Sequence, residues 1–218
     1  MTLLLCALAG WLLGSIPTAY LLVKRRHGLD VRFEGSTNVG ANNAYRTTGS
    51  RRIGVAVMVL DVVKGIAAVV VGWAVASGLG EMTPFEAAFW PESAALLGAI
   101  GGHNYNLWLS LSAGRLAGGK GLATAAGGLL LVMPLVVPVW GVLFVVGRWA
   151  IAPRGVRDTI FGNVIATALV PLAAWAVYGT AGFVVILGVA LLVLPKHVGQ
   201  VRELLRQPAL NPTDSDTR

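Results

Sequence analysis

The stretch "IGVAVMVLDVVKGIAAVVVGWAVASG", residues 53–78, decides the fold. Only Asp61 and Lys64 interrupt an apolar run longer than the ~20 residues a helix needs to cross the ~30 Å hydrocarbon core of a bilayer. The two charges stand at i and i+3, where either alone is expensive in lipid. The spacing predicts that they pair with each other or with loop groups, either as part of a functional site or as a brace between helices.

Comparable apolar runs occupy 3–23, 87–112, 120–131, 133–149, 159–177 and 180–195. The chain is 56% hydrophobic and 12% charged over 218 residues, with mean hydropathy +0.72, too apolar for a soluble domain of this length. In lipid every backbone group must be satisfied within the segment. The sequence therefore predicts an all-α, polytopic integral membrane bundle of about seven transmembrane helices. An outer-membrane barrel would need alternating segments of about 10 residues, and these runs are continuous. The run 120–131 is short enough for a half-helix or re-entrant segment. The first run lacks the basic residues of a signal peptide and continues through Tyr20 to Val23, so it reads as a retained membrane helix. Residues 1–206 form one expected membrane-embedded domain, and the polar, proline-bearing tail 207–218 is expected to be disordered.

Charge gives the orientation. Lys24, Arg25, Arg26, Arg32, Arg46, Arg51 and Arg52 lie in the first loop, Arg115 and Lys120 in the third, Arg148, Arg154 and Arg157 in the fifth. Lys196, Arg202 and Arg206 follow the last run, whereas the loops at 79–86, near Pro134 and around Gly179 hold no Lys or Arg, and Glu81 and Glu86 fall in the first of these. By the positive-inside rule the odd loops and the C-terminus face the cytoplasm and the N-terminus faces out. The net charge of +7 is thereby accounted for without nucleic acid, and no aromatic-interleaved basic face accompanies it. The single cysteine, Cys6, excludes an intrachain disulfide and reads as a small buried side chain.

Two loops could carry chemistry. "EGSTNVGANNAYR", residues 34–46, gathers Ser36, Thr37, Asn38, Asn42, Asn43 and Arg46, many donors and one fixed cation, which suits a phosphate monoester; an ordinary polar turn is the alternative. "AGRLAGGKG", residues 113–121, matches the spacing of a P-loop, but Gly121 stands where Ser or Thr should hold Mg²⁺ and no strand precedes it, so nucleotide hydrolysis is rejected. What survives is a glycine turn, Gly118 to Gly121, aiming amides, a helix N-terminus and Lys120 at one spot. Gly127 and Gly128 read as helix-packing glycines. With only His27, His103 and His197 in the chain, a three-histidine metal site is not expected. His103 alone is most simply structural. There is no G-x-S-x-G nucleophile elbow.

At this point the sequence resembles a known family, the bacterial acyl phosphate:glycerol 3-phosphate acyltransferases. "GSIPTAYLL" (14–22), "GSTNVGANNAYRTTGSRRIG" (35–54), "LDVVKG" (60–65), "GGHNYNLWL" with "GGKGLAT" (101–124) and "KHVGQVRELL" (196–205) occur in the family's order over nearly the whole chain. The resemblance implies a seven-helix enzyme of the bacterial inner membrane, with cytoplasmic catalytic loops and no metal or other cofactor. It would transfer an acyl group from acyl phosphate to position 1 of glycerol 3-phosphate, giving lysophosphatidic acid and phosphate. Among the implied site residues, Ser36, Asn38, Asn43 and Arg46 belong to the first motif; His103, Gly118, Gly119, Lys120 and Gly121 to the second; His197 to the third.

Several positions depart from the family pattern. Thr37 replaces a usual Gly and Asn42 a usual Thr; Asn106 replaces a usual Pro; Leu116-Ala117 replaces a usual Phe-Lys, with Arg115 as the nearest substitute cation. Thr159 and Asn163 stand where serines are usual, and Gln200 replaces an Asn. These changes fall near the acceptor, so Arg115, Asn163 and Gln200 join the substrate-binding candidates. The competing expectations are a small transporter of an anionic or lipidic solute, built on helix ends and glycine breaks, and an acyltransferase using another acceptor.

Overall fold

A computed structural model describes residues 1–80, 86–151 and 159–206. Glu81, Arg154, Arg157 and the tail 207–218 lie outside the described residues. Among the described residues ten α-helices follow one another: α1 (Thr2–Gly14), α2 (Thr18–His27), α3 (Ala41–Thr48), α4 (Arg51–Gly78), α5 (Glu86–Asn104), α6 (Leu107–Ala113), α7 (Leu122–Val132), α8 (Val136–Val146), α9 (Thr159–Val193) and α10 (Val198–Arg206). The described residues contain no strand. Three helical stretches, 2–27, 51–78 and 159–204, are long and apolar enough to cross a membrane. Their outer surfaces expose leucine, valine and tryptophan, as with Leu12, Val70, Trp73, Leu172 and Trp175, a surface suited to lipid.

Local chemistry explains where the runs break. The run 3–23, read from sequence as one helix, is two: Pro17 has no N–H to donate and disfavours helical geometry in the residue before it, so α1 ends at Gly14 and α2 starts at Thr18. The run 87–112 likewise divides, because the Asn106 side chain accepts from the Leu109 amide (3.1 Å) and caps a new helix, α6. Within α9, Gly179 takes φ 66°, ψ −159° and separates two arms, as the apolar runs on its two sides require. Two short helices, α3 and α10, lie in segments read from sequence only as the first loop and the charged stretch after the last apolar run.

Small residues let the bundle close. A Cβ on Gly10 or Gly14 would strike the backbone of Ala95 or Ala99, and one on Gly98 or Gly102 would strike Ala7 or Trp11, so α1 and α5 interlock backbone to backbone. Helix α4 meets α7 in the same way, Gly65 against Thr124 and Gly127 against Val62, which is the packing role read for Gly127; Gly128 sits against Leu96. Cys6 is buried, with its thiol facing the Gly72 carbonyl (3.5 Å). Around these contacts Val69, Leu96, Ile100, Leu129, Met133 and Ile186 form the main core, and Val23, Val31, Val39, Val57 and Leu109 form a second one under the first loop.

Candidate active site

The first loop is held from inside. Asn43 is buried; its amide donates to the carbonyls of Val31 (3.1 Å) and Glu34 (3.0 Å) while its oxygen accepts from the Ser36 N–H (2.9 Å). These bonds shape the loop and pin the backbone at Ser36. Thr37 sits at φ 56°, the left-handed region a β-branched residue avoids, so the substitution of a usual Gly is felt in the backbone as expected. Ser36 is exposed, and Arg46 is exposed on the last turn of α3.

Arg32 anchors the outer edge of the loop. Its guanidinium pairs with Asp30 (2.6 Å) and lies 4.8 Å from the centre of the Tyr20 ring. The hydrogen bond from Arg32 holds the Asp30 carboxyl below its usual value. Arg115 donates to the Arg32 carbonyl and lies over Phe33 (5.6 Å), so it braces this edge instead of standing beside Lys120.

Backbone bonds join this loop to the glycine turn: Val39 donates to the Gly118 carbonyl (3.1 Å), Asn106 to the Ala117 carbonyl (3.0 Å), and Gly119 to the His103 carbonyl (2.9 Å). The Asn106 bond is one that a proline at that position could not make. The Gly119 amide is therefore engaged by protein, which removes one donor from the set read out of the sequence. Gly121, at φ 79°, is the N-cap of α7. A side chain at Gly119 would collide with the His103 ring, and a Cβ on Gly121 would come within 2.6 Å of Asn104 Oδ1. Only glycine lets the turn lie this deep.

Lys120 emerges from the turn and donates to Gln200 Oε1, tying the second motif to the third across 80 residues of sequence. Its charge is felt at His197, which is 1% exposed. His197 Nδ1 donates to the Val193 carbonyl (3.0 Å), leaving Nε2 as the nitrogen with the lone pair and no partner within the described residues. The neighbouring Lys196 lies over the Tyr105 ring (5.0 Å), a second cation that sequence reading left among topological charges. Only its place beside His197 could have signalled it.

His103 lies deeper, its Nδ1 3.1 Å from the Lys64 ammonium. Lys64 and Asp61 are 2.9 Å apart, the pairing that their i, i+3 spacing predicts. Beside the turn a cavity of about 380 Å³ opens between α4, α7, α8 and α9, lined by Met58, Leu122, Leu129, Trp140, Val170 and Ile186 among others. Its polar lining is sparse: Asn163, and Thr167, whose hydroxyl is held by Trp140 Nε1 (3.1 Å). Leu122 and Ala123 follow Gly121 directly, so the cavity begins where the glycine turn ends.

A family profile described as glycerol-3-phosphate acyltransferase matches residues 4–207. The glycerol-3-phosphate acyltransferase of Sinorhizobium fredii is 35% identical over 205 residues, covering 93% of this chain and 88% of that protein. Its counterpart in Geobacter sulfurreducens is 38% identical over 203 residues, covering 93% of each. The crystal structure of PlsY, an integral membrane glycerol 3-phosphate acyltransferase in its glycerol 3-phosphate form, is similar over the whole of both chains, with a TM-score of 0.71 at 25% identity.

Proposed function

The chain belongs to the glycerol-3-phosphate acyltransferase family, and from that premise we propose that it acylates position 1 of glycerol 3-phosphate with acyl phosphate as donor. One observation carries the reading: three segments distant in sequence meet at a glycine turn that leads into the helix lining an apolar cavity. The Gly118–Gly121 turn brings Lys120, the C-terminal segment brings His197 and Gln200, and the first loop is bonded to the turn through Val39. A cavity of this size and lining suits a fatty chain, and the cation at its edge suits the phosphate joined to it.

Acyl phosphate is a mixed anhydride, so no covalent enzyme intermediate is needed; holding two anions and a chain in register supplies the catalysis. Lys120, with Arg46, Ser36 and Asn38 from the first loop and the Gly118 and Gly121 amides, takes the donor phosphate and the charge that grows on it. His197 Nε2, with Gln200 beside it, orients the glycerol phosphate so that its position 1 hydroxyl faces the acyl carbon. The hydroxyl oxygen bonds to the acyl carbon, the carbon–oxygen bond to phosphate breaks, and the proton leaves with a phosphate oxygen. Asn163 offers the one amide along the chain's path. Residues 1–206 act as a single domain in the bacterial inner membrane. The chain crosses it seven times, with the N-terminus outside and the site and C-terminus on the cytoplasmic face.

Purified protein in lipid, given palmitoyl phosphate and glycerol 3-phosphate without metal or nucleotide, is expected to release phosphate and form lysophosphatidic acid in equal amounts. Arg46→Ala is expected to cut this by about 100-fold. Phosphate release only with another alcohol would replace the acceptor, and solute crossing sealed vesicles with no acyl transfer would make the protein a transporter.

A further inference from the structure

Beneath the glycine turn lies a polar cluster that none of the chemistry above uses. Thr18 donates to Asp61 Oδ1 (2.6 Å), and Lys64 pairs with the same oxygen (2.9 Å). The Lys64 ammonium also reaches the Ile16 carbonyl (3.0 Å), the Gly14 carbonyl (3.4 Å) and His103 Nδ1 (3.1 Å). All of Thr18, Asp61, Lys64 and His103 are buried. The two carbonyls sit where Pro17 divides the first run, outside a regular helical ladder, and that of Ile16 also accepts from the Thr18 amide (3.0 Å). Three ammonium protons thus face four acceptors drawn from α1, the α1–α2 break, α4 and α5.

We infer that Lys64 and His103 are positioning residues that fix where Lys120 stands, an inference that rests on the acyl-transfer reading. The chain of contact is short. The Lys64 ammonium can only donate, so it fixes His103 Nδ1 as an acceptor and sets the ring's orientation. That ring occupies the space a side chain on Gly119 would need, and the Gly119 amide bonds the carbonyl of His103 itself. Lys120 is the next residue. His103 is thereby taken out of the acid–base chemistry and given to the floor on which the turn rests. A displacement of about 1 Å at such a floor costs on the order of 100-fold in a reaction that depends on alignment.

The test removes both charges at once, because a lone buried Asp61 or Lys64 would destabilise the bundle for an unrelated reason. The double variant Asp61→Asn/Lys64→Met keeps a carboxamide oxygen to accept from Thr18. It is compared with wild type in lipid for thermal stability, for kcat and KM with palmitoyl phosphate, and for the rate at which a water-soluble amine reagent modifies Lys120. A variant that folds with a lowered melting temperature, a KM within about 3-fold, a kcat lowered at least about 10-fold and an altered Lys120 labelling rate are expected. An unchanged labelling rate overturns the inference whether or not the wild type transfers acyl groups. Absence of transfer by the wild type overturns the acyl-transfer reading alone. Should the double variant fail to fold, His103→Asn, which keeps an acceptor at the Nδ1 position without a titratable ring, is expected to retain about 5-fold more kcat than His103→Leu. Equal loss in both contradicts a positioning role.

Discussion

Two regions flank the Gly118–Gly121 turn, and they are built on opposite principles. Beneath it, Thr18, Asp61, Lys64 and His103 form a buried network in which each group is aimed at a named atom. Beside it, the cavity between α4, α7, α8 and α9 is lined almost wholly by aliphatic and small residues. Hydrogen bonds are directional and an unpaired buried partner is costly, so the first region fixes a position. Apolar contact is not directional, so the second fixes only a volume. A phosphate leaving group needs the former and an alkyl chain needs only the latter.

The contrast predicts unequal responses to mutation. Gly119→Ala drives a methyl group into the His103 ring and within 2.8 Å of the Val39 carbonyl, and is expected to lower kcat by about 100-fold or more in the palmitoyl phosphate assay. A loss of only a few-fold would mean that the turn tolerates displacement and that the contrast is false. Trp140→Ala, in the cavity wall, is expected to lower kcat/KM for palmitoyl phosphate by about 10-fold and to shift preference toward bulkier chains, as read from competition between acyl phosphates. An unchanged preference would remove this wall from the chain's path.

Smaller effects belong to the first loop. Thr37→Gly relieves a left-handed threonine, worth about 1–2 kcal/mol, against about 0.5–1 kcal/mol of added chain entropy. A net gain below about 1 kcal/mol is expected in thermal unfolding, and a loss would show that the Thr37 side chain contributes contacts outweighing the strain. Asp30→Asn is expected to cost less than about 1 kcal/mol at pH 7, since the Asp30–Arg32 pair is partly exposed. Because Arg32 depresses the Asp30 pKa, the pair stabilises the fold above the unfolded value near 3.8, and the difference between variant and wild type closes as pH falls through the lower folded value. A difference that persists well below pH 3.8 would assign the effect to packing.

Much of this was legible in the residues. The apolar runs predicted helices because lipid leaves the backbone few options, and the break at Gly179 and the Asp61–Lys64 pairing followed from spacing alone. The motifs singled out the glycine turn with Lys120, because glycine amides beside a cation suit a phosphate, and the fold bonds that turn to the first loop and to Gln200. Orientation was harder to read. The sequence did not show that Asn43 and Arg115 bond within and around the first loop, or that Asn163 lines the apolar cavity. His103 was ambiguous for the same reason, since its partners come from α1 and α4, remote in sequence. Thr18, the partner of Asp61, gave no signal beyond its place after Pro17.

The most direct test of the account is the single-turnover rate of acyl transfer by Lys120→Met in lipid, with palmitoyl phosphate and glycerol 3-phosphate both saturating. A fall of at least about 100-fold, with thermal stability unchanged, is what a cation placed on the departing phosphate predicts. A rate within about 3-fold of wild type would contradict it, because the glycine turn would then be carrying its lysine to no chemical purpose.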